Sequence, residues 1–405
     1  MASDKPKSKG CGCLVVLVLL VALAIAAAYV TGAIAHAQYV LSGAREQGAE
    51  AVDATLKVGV EAELQDRYYA YSQLDEDGRR CYRIMYDALC SREPRAYPEG
   101  GEEDLSLIRS CIVADHPELF YVEGVKLSTT YNQMTELVSD VSIEGAYTLD
   151  EQEADARQAQ VDVVVQAFLS TVPTDADDYT KAKLAYDYIV QRASYDHGAA
   201  DAIDWSGGEG HAAGQTMDDV FLDNSAVCAG YSAAYQYLLQ HMGIPCVQVR
   251  GSANGVGHAW CIALLDGAYY HIDPTWGDPQ FLEGDSSVGD DYVNYDFLAV
   301  TTDDISSTHV PDDTFAIPVC TATADNYFVR EDLLFEGADA ARLGRLVSEA
   351  EASGASAVQI RCTNDEAYLW LLDGFVATGD LGYSLSDHEY RYTFYDAMRT
   401  ITVFP

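Results

Sequence analysis

Basic residues are scarce in this 405-residue chain: 24 Lys+Arg stand against 64 Asp+Glu, a formal net charge of −40. Phosphate backbones are bound through Lys and Arg, so the shortage argues against a nucleic-acid partner. The chain also lacks any Cys-x-x-Cys pair among its ten cysteines, which speaks against a zinc ribbon. The acidic clusters Asp175-Ala176-Asp177-Asp178 and Asp290-Asp291 do not follow the EF-hand spacing and read as solvated surface. No internal repeat is visible, and neither a metal nor an organic cofactor is expected. What is abundant argues for folded domains: 49% hydrophobic residues and 28 tyrosines are too much apolar and aromatic material for disorder. The length allows two or three domains, because single cores stop growing at roughly 250–300 residues. The acidic surplus suits a protein kept soluble in a saline exterior.

Lys5, Lys7 and Lys9 precede an apolar, uncharged run from about Cys11 to Ala35. A stretch of about 20 such residues spans a bilayer, and the flanking lysines place its N-terminal end in the cytoplasm. The expectation is a single-pass cell-membrane protein with the rest of the chain extracellular. A signal peptide cleaved after Ala37 is the alternative, because Ala35-His36-Ala37 has the small-x-small pattern, and it would secrete the chain instead. Both readings export the remainder, where disulfides are permitted. Cys81, Cys90 and Cys111 are close enough in sequence to be candidates.

Residues 38–57 are Ala- and Gly-rich and read as a stalk or helix extension. Tyr82, Met85, Tyr86 and Leu89 recur at helical spacing within 75–89. Further helices are expected at 103–114, from 150 to 169, over 181–192 and near 339–352, with a strand at 119–122. Gly198–Gly214 reads as a loop that covers a cleft, and the Asp-rich stretch 301–313 as a boundary. The resulting organisation is 1–37 (tip and anchor), 38–150 (N-terminal accessory region), 151–302 (catalytic domain) and 303–405 (small C-terminal α+β domain).

The segment from Thr216 to Pro279 carries the chemistry. Ser225 is a candidate N-cap, and Tyr231, Ala234, Leu238 and Met242 continue at helical spacing until Gly243 and Pro245 stop the helix. Cys228 then falls in a first turn, where the dipole and unpaired N–H groups favour a thiolate. A small buried hydrophobe is the ordinary reading of a lone cysteine. The odds change with His258–Leu265 and Ala268–Thr275, two strand-like runs joined by Asp266-Gly267, a strong hairpin signal. With those two residues as the loop, His258 pairs with Thr275 and Asp273 is its diagonal neighbour, about 7–8 Å away. Asp273 can then hold one imidazole nitrogen of His258, the arrangement of a base and its orienting group. A one-residue slip would put the two on opposite faces.

Ala226-Val227-Cys228-Ala229-Gly230-Tyr231, Gly257-His258-Ala259-Trp260 and His271-Ile272-Asp273-Pro274-Thr275-Trp276 resemble the three signature blocks of the transglutaminase-like superfamily. The resemblance covers roughly residues 155–300. It implies an α+β, papain-like core in which a helix bearing the Cys packs on an antiparallel sheet bearing the His and Asp. It further implies a triad with Cys228 as nucleophile, His258 as base and Asp273 as orienter. The chemistry implied is acyl transfer through a Cys228 thioester on peptide or carboxamide substrates, cell-wall peptides included. The microbial members favour hydrolysis over crosslinking. The Cys228 backbone N–H is the first oxyanion donor, and Gln215, Asn224 and Tyr231 are candidate side-chain donors. Trp260 is a candidate substrate contact, although packing is its plainer role, as it is for Trp276.

His271 reads as structural, and Cys246 and Cys261 as buried. Asp115-His116-Pro117-Glu118-Leu119-Phe120-Tyr121 and Asp325-Asn326-Tyr327-Phe328-Val329-Arg330 resemble segments that accompany this domain in anchored bacterial proteins. Two other readings stand beside the enzyme: a silent module that binds peptide or cell-wall material, and a structural module with Cys228 in a disulfide.

Overall fold

A computed structural model describes residues 61–97, 102–131, 138–203, 213–278, 292–374 and 391–404, all within the unit Val58–Pro405. The expected membrane span and stalk lie outside the described residues. Among those described, no helix is long and apolar enough to cross a membrane.

The N-terminal part begins with helices Glu61–Arg67, Tyr69–Ser72, Glu76–Ser91 and Glu102–Asp115. Asp75 starts the third by accepting the Gly78 N–H at 2.8 Å. Strands β1 (Arg95–Tyr97), β2 (Val122–Tyr131) and β3 (Val138–Tyr147) form an antiparallel sheet in the order β1-β3-β2. The strand expected at 119–122 begins only at Val122. Before it, Leu119 N–H bonds His116 O and Val122 N–H bonds Leu119 O, so the segment is spent on turns.

In the central part, helix Glu151–Leu169 opens on a capping box between Asp150 and Glu153, and helix Asp178–Arg192 is capped by Asp177. Two short strands, β4 (Ser194–Tyr195) and β5 (Ser225–Ala226), pair in parallel and lead to helix Cys228–His241. That helix packs on a sheet of β6 (Cys246–Ala253), β7 (Val256–Leu265), β8 (Ala268–Ile272) and β9 (His309–Pro311), in the order β8-β7-β6-β9. Tyr186, Ile189, Tyr235, Leu238, Ala263 and Tyr270 are among the residues that fill the space between helices and sheet. Gly243, with φ +80°, ends the Cys228 helix as its sequence position suggests.

The C-terminal part is a sheet of β10 (Leu334–Phe335), β11 (Val358–Cys362), β12 (Arg391–Tyr395) and β13 (Thr400–Phe404), in the order β10-β11-β13-β12, with helices Ala340–Ser353 and Asp365–Leu372. Phe335, Leu343, Val347, Ile360 and Val403 form its own core. The stretch 301–313, read from sequence as a boundary, supplies helix Thr302–Ile305 and strand β9 to the central sheet.

The two motifs flanking the core act as docking pieces. Gln236 and Gln240, on the Cys228 helix, donate to Ala114 O (2.7 Å) and Asp115 O (2.8 Å). On the other side, Arg330 pairs with Asp325 (3.0 Å) and Asp177, and Tyr327 stacks on Tyr295 at 3.9 Å. Cys81, Cys90 and Cys111 are unbridged, as are the other five described cysteines, including Cys228. Cys81 and Cys111 face the interior whereas Cys90 is exposed, so the trio does not converge on one bridge.

Candidate active site

Cys228 is the first residue of its helix, but the cap is Val227 and uses no side chain. Ser225, the expected cap, lies earlier, in β5 opposite Ser194. Val227 N–H donates to Gly214 O and Asp196 N–H to Ala226 O, both at 2.9 Å, which holds the approach extended until Cys228. Gly230 is required by this crossing: a Cβ there would meet Gly214 O at 2.4 Å and the Ala226 Cβ at 2.9 Å. The first N–H groups of a helix have no intrahelical acceptor, so the thiol sits at the positive end of the dipole.

The hairpin has the expected register, from Leu265↔Ala268 to Cys261↔Ile272. Asp266 and Gly267 take φ of 46° and 85°, as a two-residue type I′ turn requires. The expected His258–Thr275 pairing is not made. The ladder stops at Ile272 because Pro274 has no N–H to give and the chain turns into the 3₁₀ segment Thr275–Gly277. His258 instead lies opposite Gly251 on β6. The side chains meet nonetheless, with His258 Nε2 and Asp273 Oδ2 at 2.8 Å.

Asp273 is fully buried and accepts from several groups. The Thr275 N–H reaches Oδ1 at 2.9 Å, and a second imidazole, His309 Nε2, reaches Oδ2 at 3.0 Å. Burial alone would raise its pKa, but His258 and then His309 overcome this and hold the carboxyl well below the usual range. An ionised carboxylate can only accept, so both Nε2 atoms carry hydrogens. That leaves Nδ1 of His258 for its hydrogen bond with the Cys228 sulfur. Burial opposes charge on His258, yet the Asp273 carboxylate and the Cys228 sulfur prevail and raise its pKa to about 10.

Sequence reasoning missed His309. It lies 36 residues beyond Asp273, in a polar stretch with no periodic link to the hairpin, and reaches the site only because β9 pairs with β6 at Ala253↔His309. Its ring is boxed by Trp260, Trp276 and Phe297 at centroid distances of 5.1, 4.8 and 5.3 Å. The ligating atoms of His258, Asp273 and His309 lie within 4.8 Å of one another, so this trio could hold a metal ion. As arranged, they hydrogen-bond one another, and a metal would have to displace both Nε2 protons.

The other singled-out residues fall in different places. Trp260 is buried and donates Nε1–H to His271 Nδ1 at 3.1 Å, so that donor is committed away from the cysteine. His271, whose pKa burial pushes down to about 4, meets Thr302 Oγ1 through Nε2 and holds the sheet to the following helix. The Tyr231 hydroxyl donates to Asp278 Oδ2 at 2.6 Å. Asn224 is exposed, sits at φ 55° after the turn Asp219–Asp223, and does not line the His258 cleft. Gln215 lines a separate, smaller cavity. Cys246 and Cys261 are buried.

A cleft of about 560 Å³ opens beside His258. Tyr195, Trp276 and Phe297 line it from the centre, and Thr393–Tyr395 of β12 from the C-terminal sheet. Asp296, also on its wall, is pushed up to about 7 by burial. Cys228 itself is buried, and Tyr195, Ala199, Ala200 and Ile203 pack against the cluster it forms with Val227, Ala229 and Ala259.

A helix-start cysteine set against a histidine–aspartate pair on an antiparallel sheet is a papain-like arrangement. Residues 166–274 match the family model of the transglutaminase-like superfamily, and this part of the chain is a transglutaminase-like core within a mixed α+β protein. Among solved structures, the chain is similar to a TGase (15% identity, TM-score 0.28, covering 48% of this chain and 53% of that one). It is also similar to a candidate cysteine protease from Cytophaga hutchinsonii (15%, 0.23, 38% and 62%). A third likeness is the periplasmic domain of TgpA from Pseudomonas aeruginosa bound to ethylmercury (17%, 0.20, 36% and 58%). The chain thus spans about half the length of the first of these. No curated protein matches it.

Proposed function

We propose that the chain is a surface-anchored cysteine enzyme that transfers acyl groups from peptide or carboxamide substrates, with Cys228 as nucleophile, His258 as base and acid, and Asp273 as orienter. The observation that carries this reading is the chain of contacts Cys228–His258–Asp273, with the cysteine at a helix start. The Cys228 thiolate attacks the substrate carbonyl, and His258 Nδ1–H protonates the departing amine as the C–N bond breaks. A thioester remains. Water then gives one proton to Nδ1 and attacks the thioester, regenerating the thiolate and releasing the carboxylic acid, which loses its proton to solvent; an amine acceptor at this step would give a crosslink. Hydrolysis is the outcome we favour.

The oxyanion forms beside the Cys228 N–H, which is fixed in place before reaction. His309 is a positioning residue in this scheme, donating to the same Asp273 Oδ2 that His258 meets. Cys228 is buried, so substrate reaches the sulfur only when its surroundings open. The cleft between the core and β12 receives the rest of the substrate.

Iodoacetamide labelling of Cys228, followed by mass spectrometry from pH 5 to 9, tests the reading. Fast labelling below pH 7 that collapses in His258→Ala is expected of a thiolate paired with an imidazolium. Labelling that rises only near pH ~8.5, the ordinary cysteine value, would replace the enzyme with a silent peptide-binding module.

A further inference from the structure

The scarcity of basic residues makes an arginine without a carboxylate conspicuous. Arg95, Arg157, Arg330 and Arg361 each pair with an aspartate. Arg109, on helix Glu102–Asp115, and Arg250, on β6, line one cavity of about 80 Å³. Among the described residues, neither side chain makes a hydrogen bond or an ion pair. They are near enough to interact: desolvation and then the charge of Arg109 lower the pKa of Arg250, with Asp312 opposing, although the Arg250 residue keeps an exposed surface.

The same cavity is lined by two buried residues that each keep an unpartnered polar atom, His116 Nε2 and Gln236 Oε1. Their other ends are fixed. His116 Nδ1 meets Glu118 Oε1 at 2.6 Å, and Gln236 Nε2 donates to Ala114 O and Cys246 O at 2.7 and 3.0 Å. With its carboxylate partner on Nδ1, His116 Nε2 is left to accept or donate toward the cavity, and Gln236 Oε1 is an acceptor in any state. The cavity therefore combines two guanidinium donors with the Gln236 acceptor and the unpartnered His116 Nε2, and the exposed Glu123 also lines it. A group with negative oxygens and one O–H satisfies the guanidiniums and Gln236 Oε1 together.

We propose that this cavity binds a phosphate group, free or as a monoester: its charged oxygens meet Arg109 and Arg250, and its O–H faces Gln236 and His116. Guanidinium geometry suits phosphate oxygens. The volume holds several waters and so has room for one phosphate group. Gln248, which also lines the cavity, donates to Ala229 O at 3.0 Å, so an occupant sits behind the residue that follows Cys228. Bound there, it would tie the N-terminal helices, β6 and the Cys228 helix together.

The test is thermal unfolding of the full chain in phosphate, methyl phosphate, sulfate or chloride at matched ionic strength. A ligand at 100 times its Kd should raise Tm by several degrees. Phosphate should do so, sulfate less because it brings no O–H, and chloride not at all. At pH ~5, below the second monoester pKa of about 6 so that methyl phosphate keeps an O–H, methyl phosphate matching phosphate would identify a monoester site, and phosphate alone would identify the free ion. The shift should vanish in Arg109→Gln/Arg250→Gln. A phosphate shift no larger than that of chloride, or one that survives in the double variant, overturns the site. A sulfate shift equal to that of phosphate overturns the phosphate assignment. Should the double variant fail to fold, ³¹P line broadening of phosphate by the unmodified chain must still be seen, and its absence refutes the proposal.

Discussion

Asp115 in the N-terminal part and Asp273 in the core are both fully buried carboxyls, and they behave in opposite ways. Asp115 accepts the N–H groups of Ala70 and Tyr71 at 3.0 and 2.8 Å and the Tyr82 hydroxyl at 3.0 Å. Those donors are neutral, so burial prevails and its pKa rises to about 6 despite the nearby His116. Asp273 has the same burial but two imidazoles on one oxygen, and it stays ionised. The lesson is that burial does not decide the charge of a carboxyl; the charge state of its donors does. One aspartate pins a helical region in place, and the other holds a base.

Substitution should separate the two most sharply. Asp273→Asn would place an amide against two imidazole N–H groups and favour the wrong tautomer of His258. Cys228 labelling at pH 6 should fall by about 10²-fold or more, read by iodoacetamide kinetics. Asp115→Asn should leave that rate within about twofold while lowering stability by roughly 1–3 kcal/mol, measured by urea unfolding. A large labelling defect in Asp115→Asn would dissolve the contrast. His309→Phe keeps a ring in the aromatic box but removes a donor from Asp273. Labelling should slow by roughly tenfold through looser positioning, with the pH profile displaced. His309→Gln, which restores an N–H, should recover part of the rate.

The pH dependence of stability sharpens the comparison further. The folded pKa of Asp115 lies above its unfolded value, so its contribution falls as pH rises from about 4 to about 6, by roughly 3 kcal/mol. The contribution of Asp273 has the opposite sign and is lost as pH falls below about 4. Urea unfolding of Asp115→Asn should therefore show a shallower decline between pH 4 and 6 than the parent, the remainder belonging to Asp296.

The contrast also marks what could be read in advance. The Cys228 helix and the hairpin register were legible because helix periodicity and an Asp-Gly turn are local signals. The encounter of His258 with Asp273 followed from that register, even though Pro274 ends the ladder early. Helix Glu151–Leu169 was legible from Asp150 onward, because capping chemistry is written into adjacent residues. His309 was not legible, since an edge strand joins a sheet through backbone groups that any sequence can supply. Ser225 was misread for a related reason: β5 holds it extended against Ser194, a contact with no local signature. Asn224 looked like a polar group near the nucleophile, but its left-handed backbone makes it a turn residue.

Strand β9 has a consequence for the rest of the molecule. It covers the outer edge of β6 so closely that a Cβ on Gly251 would meet Val310 O at 2.2 Å. Residues 166–274 cut out alone would lose that cover, and the backbone groups of Gly251–Ala253 would lie open along a sheet margin. Bare margins recruit other strands, so such a fragment would tend to self-associate into extended sheets. The strand that delivers the second imidazole is also what keeps the core solitary.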